Sequence, residues 1–218
     1  MSDKSSITTI IFDADGVVID SEKIWDEAQA EFSRRRGLPY ERAKLKPLMA
    51  GRSQAEAIEI FKKEYGLSED AQSLAAERME LVKRGFEEGV EFMSGFREFF
   101  QRVRSDYKTC IATSMPEELL AVVDGRLGLS KLFGDRIFSL IAVGYRSKPN
   151  PAIFLHAAKQ LNAEPANCLV IEDAPHGVEA ARRAGMKCIG LATTFDRQTL
   201  SRADRVVNSF AEIDLAGF

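Results

Sequence analysis

The sequence predicts an α/β fold, a parallel sheet with crossover helices, interrupted near its start by an all-helical segment. Three observations carry this. After Met93-Ser94-Gly95, short apolar runs alternate with helical stretches to the end of the chain, which is the signature of a parallel sheet. Between residues 21 and 89 only helical periodicity appears. The apolar run 7–12, ahead of that segment, resembles the later strands rather than its neighbours. The expected organisation is therefore an α/β unit of residues 1–20 and 90–218 with a helical unit, 21–89, inserted directly after the first strand. A module at that place can close over the crevice at the strand ends as a lid.

Taken in order, strand 7–12 has in Ile10-Ile11-Phe12 the unbroken apolar character of a strand covered on both faces, and Gly16 allows a turn soon after it. Ser21 is placed to cap a helix on which Ile24, Trp25, Ala28 and Phe32 recur. Arg34-Arg35-Arg36 falls in its last turn and Gly37 ends it. Ser53 and Glu56 form a capping box ahead of Ala57, Ile58, Phe61 and Tyr65, with Gly66 as the stop. Ser68 begins a third helix carrying Leu74, Ala75, Met79, Val82 and Phe86. The α/β pattern then reads as helix 95–104, strand 107–113, a helix from Pro116, strand 137–143, helix 151–161, strand 168–171, helix 177–184, strand 187–191 and a short strand at 205–207.

Composition narrows the class. Of 218 residues 45% are hydrophobic and 29% charged, the proportions of a soluble globular protein. A net charge of −3 is too small to imply a nucleic-acid partner, and the one basic cluster is explained by a helix end. Three cysteines without C-x-x-C spacing read as reduced core thiols of a cytoplasmic protein. No apolar run approaches ~18 residues and no signal-peptide pattern is present, so no membrane partner is expected. Two histidines make a His-rich zinc site improbable.

In an open α/β sheet the strand ends share one crevice, and here those ends are polar. Asp13 and Asp15 sit two apart, so both can face the crevice. Close carboxylates repel, which suggests a bound cation or a shared proton, although an Asp-rich turn would look the same. Thr113-Ser114 precedes a helix and could form an anion site, or Ser114 could simply cap that helix through a box with Glu117. Lys148 is either a surface lysine or one aimed by the flanking Pro149 and Pro151. Glu172-Asp173 offers hard oxygen ligands of the kind Mg²⁺ prefers, unless Asp173 is a helix cap; His176 reads as a loop residue.

Together these loops supply what a phosphate and a magnesium ion need, and they resemble a known family. Asp13-Ala14-Asp15-Gly16-Val17-Val18-Ile19-Asp20-Ser21 is similar to the first motif of the haloacid dehalogenase-like (HAD) superfamily. Ala112-Thr113-Ser114 resembles its second, Lys148-Pro149-Asn150-Pro151 its third, and the stretch from Glu172-Asp173 to Ala180-Ala181 its fourth. Order, spacing and helical insertion resemble the subgroup of beta-phosphoglucomutase and small sugar-phosphate phosphatases. The resemblance implies a Rossmann-like core with a helical cap and a Mg²⁺-dependent phosphatase. Asp13 would be the nucleophile that becomes an aspartyl-phosphate, and Asp15 the general acid and base. Thr113, Ser114 and Lys148 would hold the phosphoryl group. Asp13, Asp15 through its carbonyl, Glu172 and Asp173 would hold the metal. Haloacid dehalogenases lack an acid at the position of Asp15, so a phosphate monoester is the implied substrate.

Within the helical unit the resemblance separates two activities. Beta-phosphoglucomutases carry a histidine where Trp25 stands and an arginine where Gln54 stands, with Arg52 close by but shifted. These departures favour the phosphatase over the alternative, a phosphomutase. Trp25, Arg52 and Gln54 are the candidate substrate contacts, with Lys83 a further lysine in reach of the crevice. The expected partner is a small phosphorylated metabolite, and the expected assembly a monomer.

Overall fold

The computed structural model describes residues 7–218; residues 1–6 of the expected α/β unit lie outside the described residues. Six parallel strands form the main sheet: β1 (Thr9–Phe12), β4 (Lys108–Ala112), β5 (Ile137–Phe138), β6 (Cys168–Glu172), β7 (Lys187–Leu191) and β8 (Arg205–Val207), in the order β5-β4-β1-β6-β7-β8. The first strand is thus central, with its neighbours reached by connections in opposite directions, which opens a crevice at its carboxyl end. Phe12 is in register with Ile111 of β4 and Ile171 of β6, so the three strands end level with one another.

Both faces of β1 are covered, as its apolar run requires. Ile10 and Phe12 face one cluster and Ile11 the other. On the first face Phe12 meets Phe96 of α5 (Phe96–Val103) edge-on at 5.7 Å and Phe133 of α7 (Leu129–Phe133) at 6.1 Å. The second face packs against α8 (Ala152–Gln160) and α9 (Pro175–Arg183), through Ile153, Phe154, Val178 and Ala181.

The chain leaves the sheet through β2 (Ile19–Asp20) and returns through β3 (Glu91–Phe92), which pair antiparallel. Between them lie α1 (Glu22–Arg34), α2 (Arg42–Met49), α3 (Gln54–Tyr65) and α4 (Ala71–Glu88). Phe32, Leu45, Ile58, Phe61 and Leu74 form a core of their own, whereas Ala28, Met79, Val82 and Phe86 join the cluster under the sheet. Gly85 sits inside α4 despite its low helix propensity. A Cβ there would fall 2.5 Å from Ile24 Cγ2, so the glycine lets α1 and α4 cross closely.

Several elements depart from expectation. Helix α2 is short and contains Pro47, so sequence alone passes over it. Asp70 rather than Ser68 starts α4, accepting a hydrogen bond from Ser73 N at 2.8 Å. The expected strand 137–143 is two residues of β5 followed by a 3-10 turn, Leu140–Val143. There Leu140 and Val143 are buried while Ile141 is exposed, a period of three rather than two. The Ser53–Glu56 capping box and the Gly66 stop form as expected. Among the described residues no helix is long and apolar enough to cross a membrane.

Because Phe12 is the ring on which the strand's aromatic cluster converges, Phe12→Ala should cost about 3–5 kcal/mol of stability. A urea denaturation midpoint indistinguishable from the parent's would contradict that packing.

Candidate active site

Level strand ends bring the polar residues together. Asp13 follows β1, and its backbone N–H bonds Ile171 O at 3.0 Å, which puts Glu172 alongside. Lys148, on the loop after the 3-10 turn, is 1% exposed and inserts its ammonium between the two: Nζ donates to Asp13 Oδ1 and, at 2.6 Å, to Glu172 Oε1. The expected alternative of a surface lysine is excluded by that burial. The other Glu172 oxygen accepts from the backbone N–H groups of Asp173 and Ala174, both at 2.9 Å. Asp173 does not cap α9, whose first residue is Pro175; its carboxylate accepts from the Thr194 hydroxyl.

Two glycines make room for these acids. A Cβ on Gly16, whose φ is +69°, would overlap the Asp173 carboxylate, and one on Gly177 would overlap that of Glu172. Asp13, Glu172 and Asp173 are all buried and each offers an oxygen within 4.8 Å of the others. Burial raises Asp13 to about 7, against the pull of Lys148, and holds Asp173 well above the usual carboxylate range. Burial pulls Lys148 down, but Asp13 and Glu172 more than restore it, so it stays charged. One ammonium against three buried carboxylates leaves the cluster short of positive charge. Hard oxygen donors in a charge-deficient, buried cluster fit a small divalent cation such as Mg²⁺.

Asp15 has a different environment. Ser21 Oγ donates to its Oδ1 at 2.5 Å and Trp25 Nε1 to the same oxygen at 2.7 Å. Ser21 therefore does not cap α1 with its side chain, as the sequence suggested; the hydroxyl is drawn to the acid instead. Burial raises Asp15 while these two donors lower it. Asp13 and Asp15 line one cavity, the former bonded to a cation and the latter to neutral donors.

Thr113 and Ser114 also line the cavity. Thr113 Oγ1 accepts from Met115 N at 3.0 Å, and Ser114 Oγ donates to Gly51 O at 2.7 Å. The box between Ser114 and Glu117 does not form, since α6 (Glu117–Leu127) begins after Pro116.

From the helical segment Trp25, Arg52 and Gln54 all reach the cavity wall. Arg52 Nε donates to Leu48 O, and its Nη2 stands 3.1 Å from His176 Nε2. His176 Nδ1 lies 3.1 Å from Ala50 O, so the network assigns the ring proton to Nδ1 and leaves Nε2 to accept from Arg52. His176 belongs to the first turn of α9 rather than to a loop. Lys83 pairs with Glu87 at 3.8 Å and is not part of the cavity wall.

Sequence reasoning missed Arg78 and Gln29, which also line the cavity. A signal for Arg78 was present: it interrupts the stripe Leu74, Val82, Phe86 at a spacing of four, a charge on a buried face.

The family model for haloacid dehalogenase-like hydrolases matches residues 7–185, most of the chain. The chain belongs to the haloacid dehalogenase-like hydrolase family. The hydrolase is 31% identical to validoxylamine A 7'-phosphate phosphatase of Streptomyces hygroscopicus subsp. limoneus, over 93% of this chain and 94% of the relative. It is 32% identical to a phosphorylated carbohydrates phosphatase of Thermotoga maritima, over 83% and 82%. Among solved structures it resembles beta-phosphoglucomutase from Clostridium difficile, with a TM-score of 0.80 and 25% identity over 95% of this chain and 93% of that one. The chain is thus an enzyme, a hydrolase of the family in which these sequence relatives are phosphatases.

The charge deficit has a measurable consequence. Without a divalent cation, Asp13 binds its proton more tightly folded, at about 7, than unfolded, at 3.8. The folded state then carries the extra proton across that window, so stability falls as pH rises through it. Urea midpoints in chelator should drop from pH 5 to pH 8, less steeply in Asp13→Asn, and Mg²⁺ should restore the parent at pH 8. A midpoint that climbs over the same interval would refute the assignment.

Proposed function

We propose that this hydrolase is a Mg²⁺-dependent phosphatase for a small phosphorylated metabolite of the sugar-phosphate class, with residues 21–89 acting as a cap over the α/β unit of 1–20 and 90–218. The observation that carries the reading is the sorting of two acids on one cavity: Asp13 against Lys148, and Asp15 against Ser21 and Trp25. Environments that differ in this way separate a nucleophile from a proton carrier.

In this reading an Asp13 oxygen attacks phosphorus and the ester oxygen leaves, giving an aspartyl-phosphate. Asp15 starts protonated, as burial favours, and gives that proton to the departing alkoxide. It then takes a proton from the water that hydrolyses the aspartyl-phosphate, returning Asp13 and releasing inorganic phosphate. Both donors to Asp15 use Oδ1, which leaves Oδ2 for this exchange. Lys148, the Ser114 backbone N–H and Thr113 hold the phosphoryl oxygens against developing charge. Magnesium, held by Asp13, Glu172, Asp173 and the Asp15 carbonyl, would supply the positive charge that keeps Asp13 ionised beside an anionic substrate.

The phosphorylated-carbohydrate relative supports the substrate class. Against a phosphomutase stands Trp25, whose indole N–H donates a hydrogen bond to Asp15 but has no proton to exchange near neutral pH.

Release of inorganic phosphate from a panel of hexose, pentose and glycolate phosphates should require Mg²⁺ and cease in chelator. Asp13→Asn should abolish it, and Asp15→Asn should lower it at least about 100-fold. Full activity in Asp13→Asn would overturn the mechanism. Trp25→Phe removes a donor that favours the Asp15 carboxylate, so the pKa assigned to Asp15 in the pH profile should move up; a profile unchanged in position would argue that the indole has no such role.

A further inference from the structure

Arg78 is a charged group on the cavity wall that the proposed chemistry leaves unused. It is 6% exposed, on α4. Its Nε donates to Gln29 Oε1 at 2.7 Å and its Nη1 to Gln54 Oε1 at 2.5 Å, while its guanidinium carbon lies 5.2 Å from the Trp25 ring centroid. None of these partners is an anion. Lys46, buried to a similar degree, has both Glu22 and Asp26. No carboxylate among the described residues pairs with Arg78, and Nη2 finds no acceptor among them. Burial pushes the guanidinium down to about 10, so it stays cationic at neutral pH.

A buried charge without a counterion is costly. Two amide oxygens fix the direction of this one without cancelling it, which is the arrangement of a charge held for a ligand. The ligand has to be compact and singly charged, because one partly engaged guanidinium cannot balance a second phosphate dianion in a cavity already rich in acids. Sugar hydroxyls alone would need no buried cation. Trp25 connects the two ends: its N–H is on Asp15 and its ring face is under Arg78. One small molecule can therefore place its ester oxygen at Asp15 and an anionic group an indole's width away.

We propose that Arg78 binds a carboxylate on the alcohol part of the substrate, so that the preferred substrates are phosphorylated sugar acids. This rests on the phosphatase reading above.

Matched esters test it: glycerol 3-phosphate against 3-phosphoglycerate, and a hexitol 6-phosphate against the corresponding aldonate 6-phosphate. The carboxylate member of each pair should show kcat/KM about tenfold to a hundredfold higher, mainly through KM. Arg78→Gln should bring that ratio to near one, with Arg78→Lys intermediate. Gln54→Glu places a carboxylate on the guanidinium from within; it should raise the melting temperature and also remove the preference, which keeps the test open should Arg78→Gln fold poorly. Calorimetric titration with glycerate and gluconate, against glycerol and sorbitol, gives a readout independent of turnover: the acids should bind tighter, and only while Arg78 is unpaired. Hydrolysis of the polyol esters with no carboxylate preference would overturn the Arg78 assignment and leave the phosphatase standing. Arg78-dependent binding of the acids with no phosphate released from any ester would do the reverse.

Discussion

The ammonium of Lys148, buried between Asp13 and Glu172, is the contact on which the rest of the arrangement turns. It joins three separate stretches of chain at the carboxyl end of the sheet. Without it two carboxylates would face each other out of water, and breaking a buried pair by removing one partner costs about 3–5 kcal/mol. The level register of β1 and β6 is what makes the pairing possible, because it puts Glu172 beside Asp13. Yet the lysine does not neutralise the cluster. Asp173, held by Thr194 a short distance away, keeps the site deficient in positive charge. The fold thus stores an electrostatic cost at the point where a cation and a phosphate can relieve it.

The second acid of the same motif escapes this cluster because the turn after it carries its own donors. Ser21 and Trp25 belong to the start of α1, so the helical segment sets the state of Asp15 as soon as it begins. That segment also supplies Arg52, Gln54 and Arg78. The α/β part thus holds the groups around Asp13, while the helical part supplies the two donors on Asp15 and much of the remaining cavity wall.

What the sequence made legible follows from this division. Acids and hydroxyls at strand ends could be read because the sheet topology forces strand ends together whatever the loops do, whereas Lys148 lies on a loop well past the end of β5 and only its motif pointed to it. Gly16 and Gly177 could be recognised in the motifs, but the reason for them, clearance for two carboxylates, is a tertiary contact. Ser21 and Ser114 each looked like a helix cap. Each instead bonds a distant partner, Asp15 and Gly51 O, because a side-chain hydroxyl next to a buried acceptor serves that acceptor before a helix end that water can reach. Helix α2 was hidden by Pro47, and the strand at 137–143 was overdrawn because a buried 3-10 turn and an apolar strand share composition. Arg78 shows how a periodicity argument can pass over its own exception: the buried stripe Leu74, Val82 and Phe86 of α4 is interrupted by a charge at the same spacing.

The helical segment is attached unequally on its two sides. On the side of α1 and α4 it shares Ala28, Val82 and Phe86 with the core under the sheet. Exposing each large apolar side chain there costs about 1.5–3 kcal/mol. On the side of residues 50–56 the attachment is polar: Ser114 to Gly51 O, Ser147 to Glu56, and His176 to Ala50 O and Arg52. Water can replace such partners, and each bond is worth a net ~0.5–1.5 kcal/mol. The strain of parting therefore falls on the second side, with the paired β2 and β3 and the α1–α4 crossing as the fixed edge. That side is also the one that carries Arg52 and Gln54. In the proposed reading, a ligand that engaged those residues would close the weaker seam over itself, and the wall proposed to select the substrate would be the one that admits it.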